Sequence, residues 1–358
     1  MDSKNNYKVL GLMSGTSLDG LDLAFCRFRK SANGWSYSID KAVTMPYPAA
    51  WISRLSRAQN LTGSDLVALD FNYGKWLGDA CRNFLDQHKF RPDFISSHGH
   101  TIFHQPDKGF TYQLGNGNAL HTASGIPVIA DFRSLDVLLG GEGAPLVPAG
   151  DKILFSDYEV CLNLGGIANL SMDINKKRIA FDICFMNMGL NYLAGKAGKK
   201  FDKGGAMAQA GNINTALWKK LAVVYSQFRK KRPSLGREIF EKQIKTLLDD
   251  DSVPLNDRLR TFTESSAAEI AGAILSSKEK GKVLCTGGGA FNAFFMSRLL
   301  ELCGDHVSLI VPEDEVIKFK EAVVFAFLGV LRSRGEMNCL KSVTGAERNS
   351  SSGVMIGF

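Results

Sequence analysis

Glycines recur at three breaks between apolar segments of this chain, and this pattern limits the fold more than any other feature of the sequence. The first is Gly11-Leu12-Met13-Ser14-Gly15-Thr16-Ser17-Leu18-Asp19-Gly20-Leu21-Asp22, set between apolar-rich residues 7–13 and 21–27. The second, Asn163-Leu164-Gly165-Gly166-Ile167-Ala168-Asn169, lies within the apolar stretch 158–172. Both predict two strands joined by a tight polar turn. The third, Thr286-Gly287-Gly288-Gly289-Ala290-Phe291-Asn292, follows the apolar segment 283–286 and opens a predicted helix over 291–300. Bare glycine backbone admits close approach of a ligand, and hydroxyls, amides and a helix N-terminus suit an anionic phosphate. Taken alone, the first motif reads more readily as a polar hairpin turn.

A chain of 358 residues exceeds what one hydrophobic core serves, so two α/β domains with mixed sheets are expected. The two strand–glycine–strand units, at 9–26 and 160–172, suggest two similar halves. Helical periodicity covers 65–88, 213–226, 262–279 and 320–334, with a strand at 93–97. The apolar C-terminal segment 353–358 suits a strand returning to the N-terminal domain. The net charge of +7 is dispersed apart from short runs such as Arg229-Lys230-Lys231-Arg232, which argues against nucleic-acid binding. Seven scattered cysteines with no CxxC spacing argue against a disulfide framework or structural zinc. With no membrane-length apolar run or signal-like N-terminus, a soluble cytoplasmic protein is expected.

Three glycine motifs in this order match the phosphate-1, phosphate-2 and adenosine elements of actin-like kinases, and none fits GxxxxGK[ST] or GxGxxG. More specifically, Gly11–Asp22, Ala130–Arg133, Gly141–Pro148, Asn163–Leu170, Phe181-Asp182, Phe201–Lys203, Gly236–Glu238, Gly287–Gly289, Glu321-Ala322 and Ser342–Ala346 resemble the anhydro-N-acetylmuramic acid kinase family over nearly the whole chain. The resemblance implies a two-domain actin-like ATPase (ribonuclease H-like) fold with an interdomain cleft for ATP and sugar. It implies residues 1–133 plus 340–358 as the N-terminal domain and 134–339 as the C-terminal domain. The implied reaction adds water across the 1,6-anhydro bond of anhydro-N-acetylmuramic acid and phosphorylates O6 from ATP, as in cell-wall recycling. The partners implied are ATP, Mg²⁺ and a small sugar, with no nucleic acid or membrane, and with a homodimer left open.

On this resemblance, Asp182 is the general base for water and Glu321 binds sugar hydroxyls or orients that water. ATP phosphates fall to Gly15, Thr16, Ser17, Leu18, Asp19, Gly20, Leu21 and Asp22, then to Gly165 and Gly166, with Gly287, Gly288 and Gly289 at the adenosine. Mg²⁺ travels with ATP, Asp19 being a candidate ligand and Asp22 a further carboxylate nearby. Asp131, Arg133 and His98 are expected at the sugar, the arginine suiting a lactyl carboxylate by bidentate pairing.

Each assignment has a plain structural alternative. These are a strand-end cap for Asp182, a first-turn helix residue for Glu321, a surface ion pair for Asp131 and Arg133, and simple structure for the histidines. On a strand, His98 and His100 are expected to share a face. The sequence departs from the family at two places. Ile183-Cys184-Phe185-Met186 replaces a Thr-Gly-Pro-Gly run after Asp182, and His100 stands where a glutamine is usual. Bulk in place of two glycines beside the base leaves two alternatives, a kinase for another anhydro or amino sugar and a non-catalytic nucleotide-binding homologue.

Overall fold

The structure, a computed structural model, describes residues 4–16, 18–276 and 281–358. The chain forms two compact units, one built from residues up to Phe155 together with Phe319–Phe358, the other from Ser156–Lys318. In the first unit, β1 (Asn6–Ser14), β2 (Leu21–Ser31) and β3 (Gly34–Met45) form an antiparallel meander. The remaining strands are β4 (Phe94–Gln105), β5 (Phe110–Leu114), β6 (Val128–Ala130) and β12 (Val354–Ile356). They complete a seven-stranded sheet of order β12-β6-β4-β1-β2-β3, with β5 paired to β4. The C-terminal strand β12 pairs antiparallel with β6, so the chain end does return to this unit.

Strand β1 is central, and its run Val9–Leu12 is buried on both faces. Leu10 and Leu12 pack with Leu69, Tyr73, Leu77, Cys81 and Phe84, a stripe at helical spacing on Gly63–His88. Thr62 caps that helix by accepting from the Asp65 amide at 3.3 Å. Gly11 faces the other way, toward the helix Asp314–Ser333, where a Cβ would overlap the Ala322 carbonyl oxygen. On that same face Ser96 Oγ donates to the Phe325 carbonyl at 2.6 Å.

This seating explains why the units divide at 155/156 and 318/319 and not at 133/134 and 339/340 as the sequence suggested. Residues 319–333 cover one face of the first sheet, and Lys320 pairs with Asp151 at 2.8 Å, both buried. Gly11→Ala is expected to lower the melting temperature by the equivalent of about 1–3 kcal/mol of overpacking. An unchanged calorimetric midpoint would show that the helix does not press on β1.

In the second unit, β7 (Val160–Leu164), β8 (Ile167–Ile174), β9 (Lys177–Phe185), β10 (Gly281–Thr286) and β11 (Val307–Ile310) form a sheet of order β11-β10-β7-β8-β9. Strands β10, β7 and β11 run parallel, and β8 and β9 antiparallel. One face carries Leu162, Leu164, Ala168, Leu170 and Met172 into a core shared with the helices Thr215–Lys231, Leu255–Leu275 and Ala293–Cys303. Strand β7 pairs with β8 across Gly165-Gly166 just as β1 pairs with β2 across the first glycine motif. Among the described residues no helix is long and apolar enough to cross a membrane. All seven cysteines are buried, and none forms a disulfide.

Candidate active site

In the first unit the glycine motif closes the β1–β2 hairpin. Leu18 adopts φ of 60° in that turn and its amide donates to the Gly15 carbonyl at 3.3 Å. Thr16 and Asp19 are exposed, Gly15 and Asp22 half-buried, and Gly20 and Leu21 buried, while Ser17 lies outside the described residues. Leu21 belongs to the core, so of the expected phosphate residues it offers backbone only. Asp22 Oδ1 accepts from Thr44 Oγ1 at 2.6 Å, and burial raises its pKa despite that bond, with the Asp19 charge adding to the rise. Among the described residues no group of three or more His, Cys, Asp or Glu side chains gathers as a metal site.

Arg133 is held from two sides. Its Nε and Nη2 lie 3.0 and 2.8 Å from His98 Nε2, and its Nη1 donates to the Gly143 carbonyl at 2.8 Å. His98 Nδ1 is 2.8 Å from the Gly99 carbonyl, so this nitrogen carries the proton and Nε2 accepts from the arginine. Burial, helped by the Arg133 charge, lowers the His98 pKa to about 3. With both nitrogens committed inside the protein, His98 holds Arg133 in place. Arg133 itself is lowered to about 10 by burial, opposed by the Glu321 charge, and stays cationic at neutral pH. Asp131, at φ of 56°, accepts from the Ser134 amide and hydroxyl at 3.2 and 2.6 Å. Its Oδ1 is thereby tied into a local turn and is not paired with Arg133.

Glu321 lies seven residues inside the helix Asp314–Ser333, not in its first turn, so the helix-dipole reading of this residue falls away. Its side chain touches water, yet the surrounding protein desolvates the carboxylate and raises its pKa, opposed by the charges of Arg133 and Lys320. His98 and His100 do not share a face. Gly99 between them takes φ of +74°, breaking the strand alternation, and a Cβ there would sit 2.6 Å from the Leu114 carbonyl oxygen. His100 turns instead to Ser14, with Nδ1 2.8 Å from Ser14 Oγ. Ser14 also lies 2.7 Å from Tyr47 Oη and accepts from Tyr73 Oη at 3.1 Å, while the two tyrosine hydroxyls are 2.6 Å apart.

This buried cluster at the foot of the first glycine turn escaped the sequence reading. Its members are separated by tens of residues, and only the departure at position 100 hinted at it. Asp136 also went unnoticed. Fully buried, it accepts from the Gly143 amide, Cys339 Sγ and Thr344 Oγ1 at 2.8, 3.0 and 2.8 Å, which ties the loop below Arg133 to the C-terminal segment.

In the second unit the structure brings together three sequence-distant segments. The Met186 and Asn187 amides donate to the Gly166 and Gly165 carbonyls at 2.9 and 3.2 Å, and Asn187 Nδ2 donates to the Leu164 carbonyl at 3.0 Å. Gly287 and Gly289 press on the same turn. A Cβ on Gly287 would meet Asn163 Oδ1 at 2.6 Å, and one on Gly289 would overlap the Met186 side chain. Gly288 is exposed beside them. Strand pairing sets Thr286, Asn163, Asn169 and Asp182 in one row across β10, β7, β8 and β9.

Asp182 is interior to β9, not at a strand end, which removes the capping reading. Its Oδ2 accepts from the Leu235 amide at 2.8 Å, and burial raises its pKa more than that bond lowers it. It lines a pocket of about 150 Å³ with Phe181, Ile183, Phe228, Arg232 and Glu269, among others, where Arg232 lies 4.1 Å over the Phe181 ring. The bulky residues that follow it are almost wholly core. Ile183, Cys184, Phe185 and Met186 are all buried, and Phe185 packs edge-on against Phe228 and Phe240.

Two α/β units, each with a glycine turn between antiparallel strands at the carboxyl end of a parallel pair, are the architecture of a two-domain kinase. A family model described as anhydro-N-acetylmuramic acid kinase matches residues 7–357. The chain belongs to the anhydro-N-acetylmuramic acid kinase family, and it is a phosphotransferase with an alcohol group as acceptor. It is similar to the anhydro-N-acetylmuramic acid kinase of Sulfurimonas denitrificans, 33% identical across 95% of this chain and 97% of that one. It is also similar to that of Vibrio parahaemolyticus, 34% identical across 98% and 99%. Among solved structures, component A of the (R)-2-hydroxyglutaryl-CoA dehydratase of Acidaminococcus fermentans is similar over 92% of this chain and 99% of that one, with a TM-score of 0.45 and 12% identity.

Proposed function

We propose that this sugar kinase hydrolyses the 1,6-anhydro bond of anhydro-N-acetylmuramic acid and phosphorylates O6 from ATP, giving N-acetylmuramic acid 6-phosphate and ADP. The observation that carries the reading is the desolvated carboxylate of Asp182 on the strand whose continuation, Met186–Met188, hydrogen-bonds to the second glycine turn. A carboxylate of raised pKa is a competent proton acceptor. Asp182 takes a proton from water as the oxygen bonds to C1. The C1–O6 bond breaks, its electron pair goes to O6, and O6 takes the γ-phosphoryl as ADP leaves. The proton on Asp182 then passes to solvent.

Arg133 has five N–H donors, of which three are used on His98 and Gly143. One remains on each terminal nitrogen, the pair that grips a carboxylate in bidentate fashion, and the lactyl group of the proposed sugar is such a carboxylate. Glu321 is proposed to bind sugar hydroxyls or orient the water, and Asp131 to support that site. The backbones of Gly15–Asp22, Gly165-Gly166 and Gly287–Gly289 are proposed to hold the nucleotide. Asp19 and Asp22 are hard oxygen donors that suit Mg²⁺ carried on ATP phosphates. Bound there, the ion would neutralise charge on the phosphoryl group.

A second reading, a kinase for another anhydro or amino sugar, is favoured by Ile183, a residue lining the Asp182 pocket where the family has a smaller, more flexible segment. Mass spectrometry of the sugar, coupled to ADP release, separates the two. With ATP, Mg²⁺ and 1,6-anhydro-N-acetylmuramic acid, a product heavier by one phosphoryl group and one water is expected. ADP formed only with a different sugar points to the second reading, and ADP formed with none sinks both.

A further inference from the structure

The hydroxyl cluster around Ser14 fixes the hydrogen-bonding character of His100. Each hydroxyl carries one hydrogen, and Ser14, Tyr47, Tyr73 and His100 are all buried, so every contact between them needs a hydrogen from within the set. Tyr73 donates to Ser14. Its hydrogen being spent, the 2.6 Å contact between the tyrosines takes the Tyr47 hydrogen. The 2.7 Å contact between Ser14 and Tyr47 then takes the Ser14 hydrogen. All three hydroxyl hydrogens are now consumed in a closed ring. The remaining 2.8 Å contact is supplied by His100, so Nδ1 bears the proton. Burial lowers the His100 pKa to about 4, so the ring is neutral and Nε2 is a bare acceptor.

Among the described residues Nε2 has no protein partner within hydrogen-bonding distance, whereas both nitrogens of neighbouring His98 are used. His100 and Ser14 are register partners at the last parallel pair of β4 with β1, in mid-strand on β4 and at the carboxyl end of β1, and Ser14 directly precedes the first glycine turn. In open α/β sheets ligands gather at such strand ends. A glutamine at this position offers both a donor and an acceptor, while a histidine locked as the Nδ1–H tautomer offers an acceptor alone.

We propose that His100 is a specificity-determining residue of the sugar site, its Nε2 accepting a hydrogen bond from a sugar hydroxyl while the Ser14–Tyr47–Tyr73 ring holds the tautomer. The proposal rests on the kinase reading above. It selects for a hydroxyl that donates, so a sugar deoxygenated at the contacted carbon binds less well.

Two measurements on the full chain test it. Nitrogen-15 NMR of histidine-labelled wild type is expected to show His100 with Nδ1 protonated and Nε2 bare, and adding 1,6-anhydro-N-acetylmuramic acid is expected to shift Nε2. In kinetics, His100→Leu is expected to raise KM for the sugar about tenfold, the loss of one good hydrogen bond, with KM for ATP unchanged. His100→Gln, which keeps an acceptor, is expected to stay within about threefold of wild type. A protonated Nε2, or a leucine variant with unaltered sugar KM, overturns the proposal. Wild type that makes no product defeats the proposed reaction on this sugar instead, and the NMR titration still decides. A shift of Nε2 with the sugar supports the acceptor role, and an unmoved resonance ends it.

Discussion

Asp182→Asn is expected to lower turnover by about 10² to 10⁴, the usual contribution of a positioned general base, while leaving nucleotide affinity unchanged. Asparagine is nearly isosteric and its Oδ1 can still accept the Leu235 amide that Asp182 accepts at 2.8 Å, so the pocket keeps its shape. What disappears is the ability to take a proton. In wild type the acid limb of kcat/KM is expected above the ordinary aspartate value of 3.8, because burial raises this carboxyl. The same shift makes a stability prediction. A carboxyl whose folded pKa is raised contributes stability below its unfolded pKa and loses it as pH rises through the folded one. At pH 7 wild type therefore carries the cost of a desolvated charge that the neutral amide lacks. Asp182→Asn should melt at the same temperature as wild type or higher, while being nearly inactive. A variant that keeps turnover within about tenfold of wild type rules Asp182 out as the base. One that loses activity together with several degrees of melting temperature points to a structural role.

Acid is expected to destabilise the first unit well before its carboxylates titrate. His98 and His100 are buried neutral, with pKa values lowered to about 3 and about 4, against 6.5 in the unfolded chain. Lowered imidazole values mean that stability is present above 6.5 and is lost as pH falls toward the folded values, because only the unfolded chain takes up the protons. Each histidine then costs about 2 kcal/mol between pH 7 and pH 5, about 4 kcal/mol for the pair. That is a large share of the roughly 5–15 kcal/mol that holds a domain together. Asp70, Asp182 and Glu321, whose pKa values are raised, act in the opposite sense but nearer to their own lower range. Trp35, Trp51 and Trp76 lie in this unit and Trp218 in the other, so urea titrations followed by tryptophan fluorescence report mainly on the first. His100→Gln should remove about half of the pH 7 to pH 5 loss. Denaturation midpoints that coincide at the two pH values would mean that the histidines are not held neutral by the fold.

Both predictions depend on features that the sequence displays unequally. The hairpins around the first two glycine motifs, the helix Gly63–His88 with its capped start, the strand β10 and the return of the chain end to the first sheet were legible, because each follows from local periodicity, turn chemistry or an apolar terminus. The sequence alone also held the family resemblance, through motifs that lie in register along the chain. Tertiary structure alone decided four further matters. It moved the unit boundary to 318/319, since the helix Asp314–Ser333 is seated on β1 at Gly11, a contact between residues some 300 positions apart that no local pattern announces. It set Glu321 in mid-helix, because the apolar stripe that fixes helix length continues toward the N-terminus through Ile317. It sent His98 and His100 to different partners through one left-handed glycine. It also buried Ile183–Met186 in the core, since β9 continues through Phe185 and the second sheet needs apolar side chains there to meet Phe228 and Phe240. Local chemistry determined the strands and turns of this protein, while packing between distant segments determined which partners its buried polar residues found.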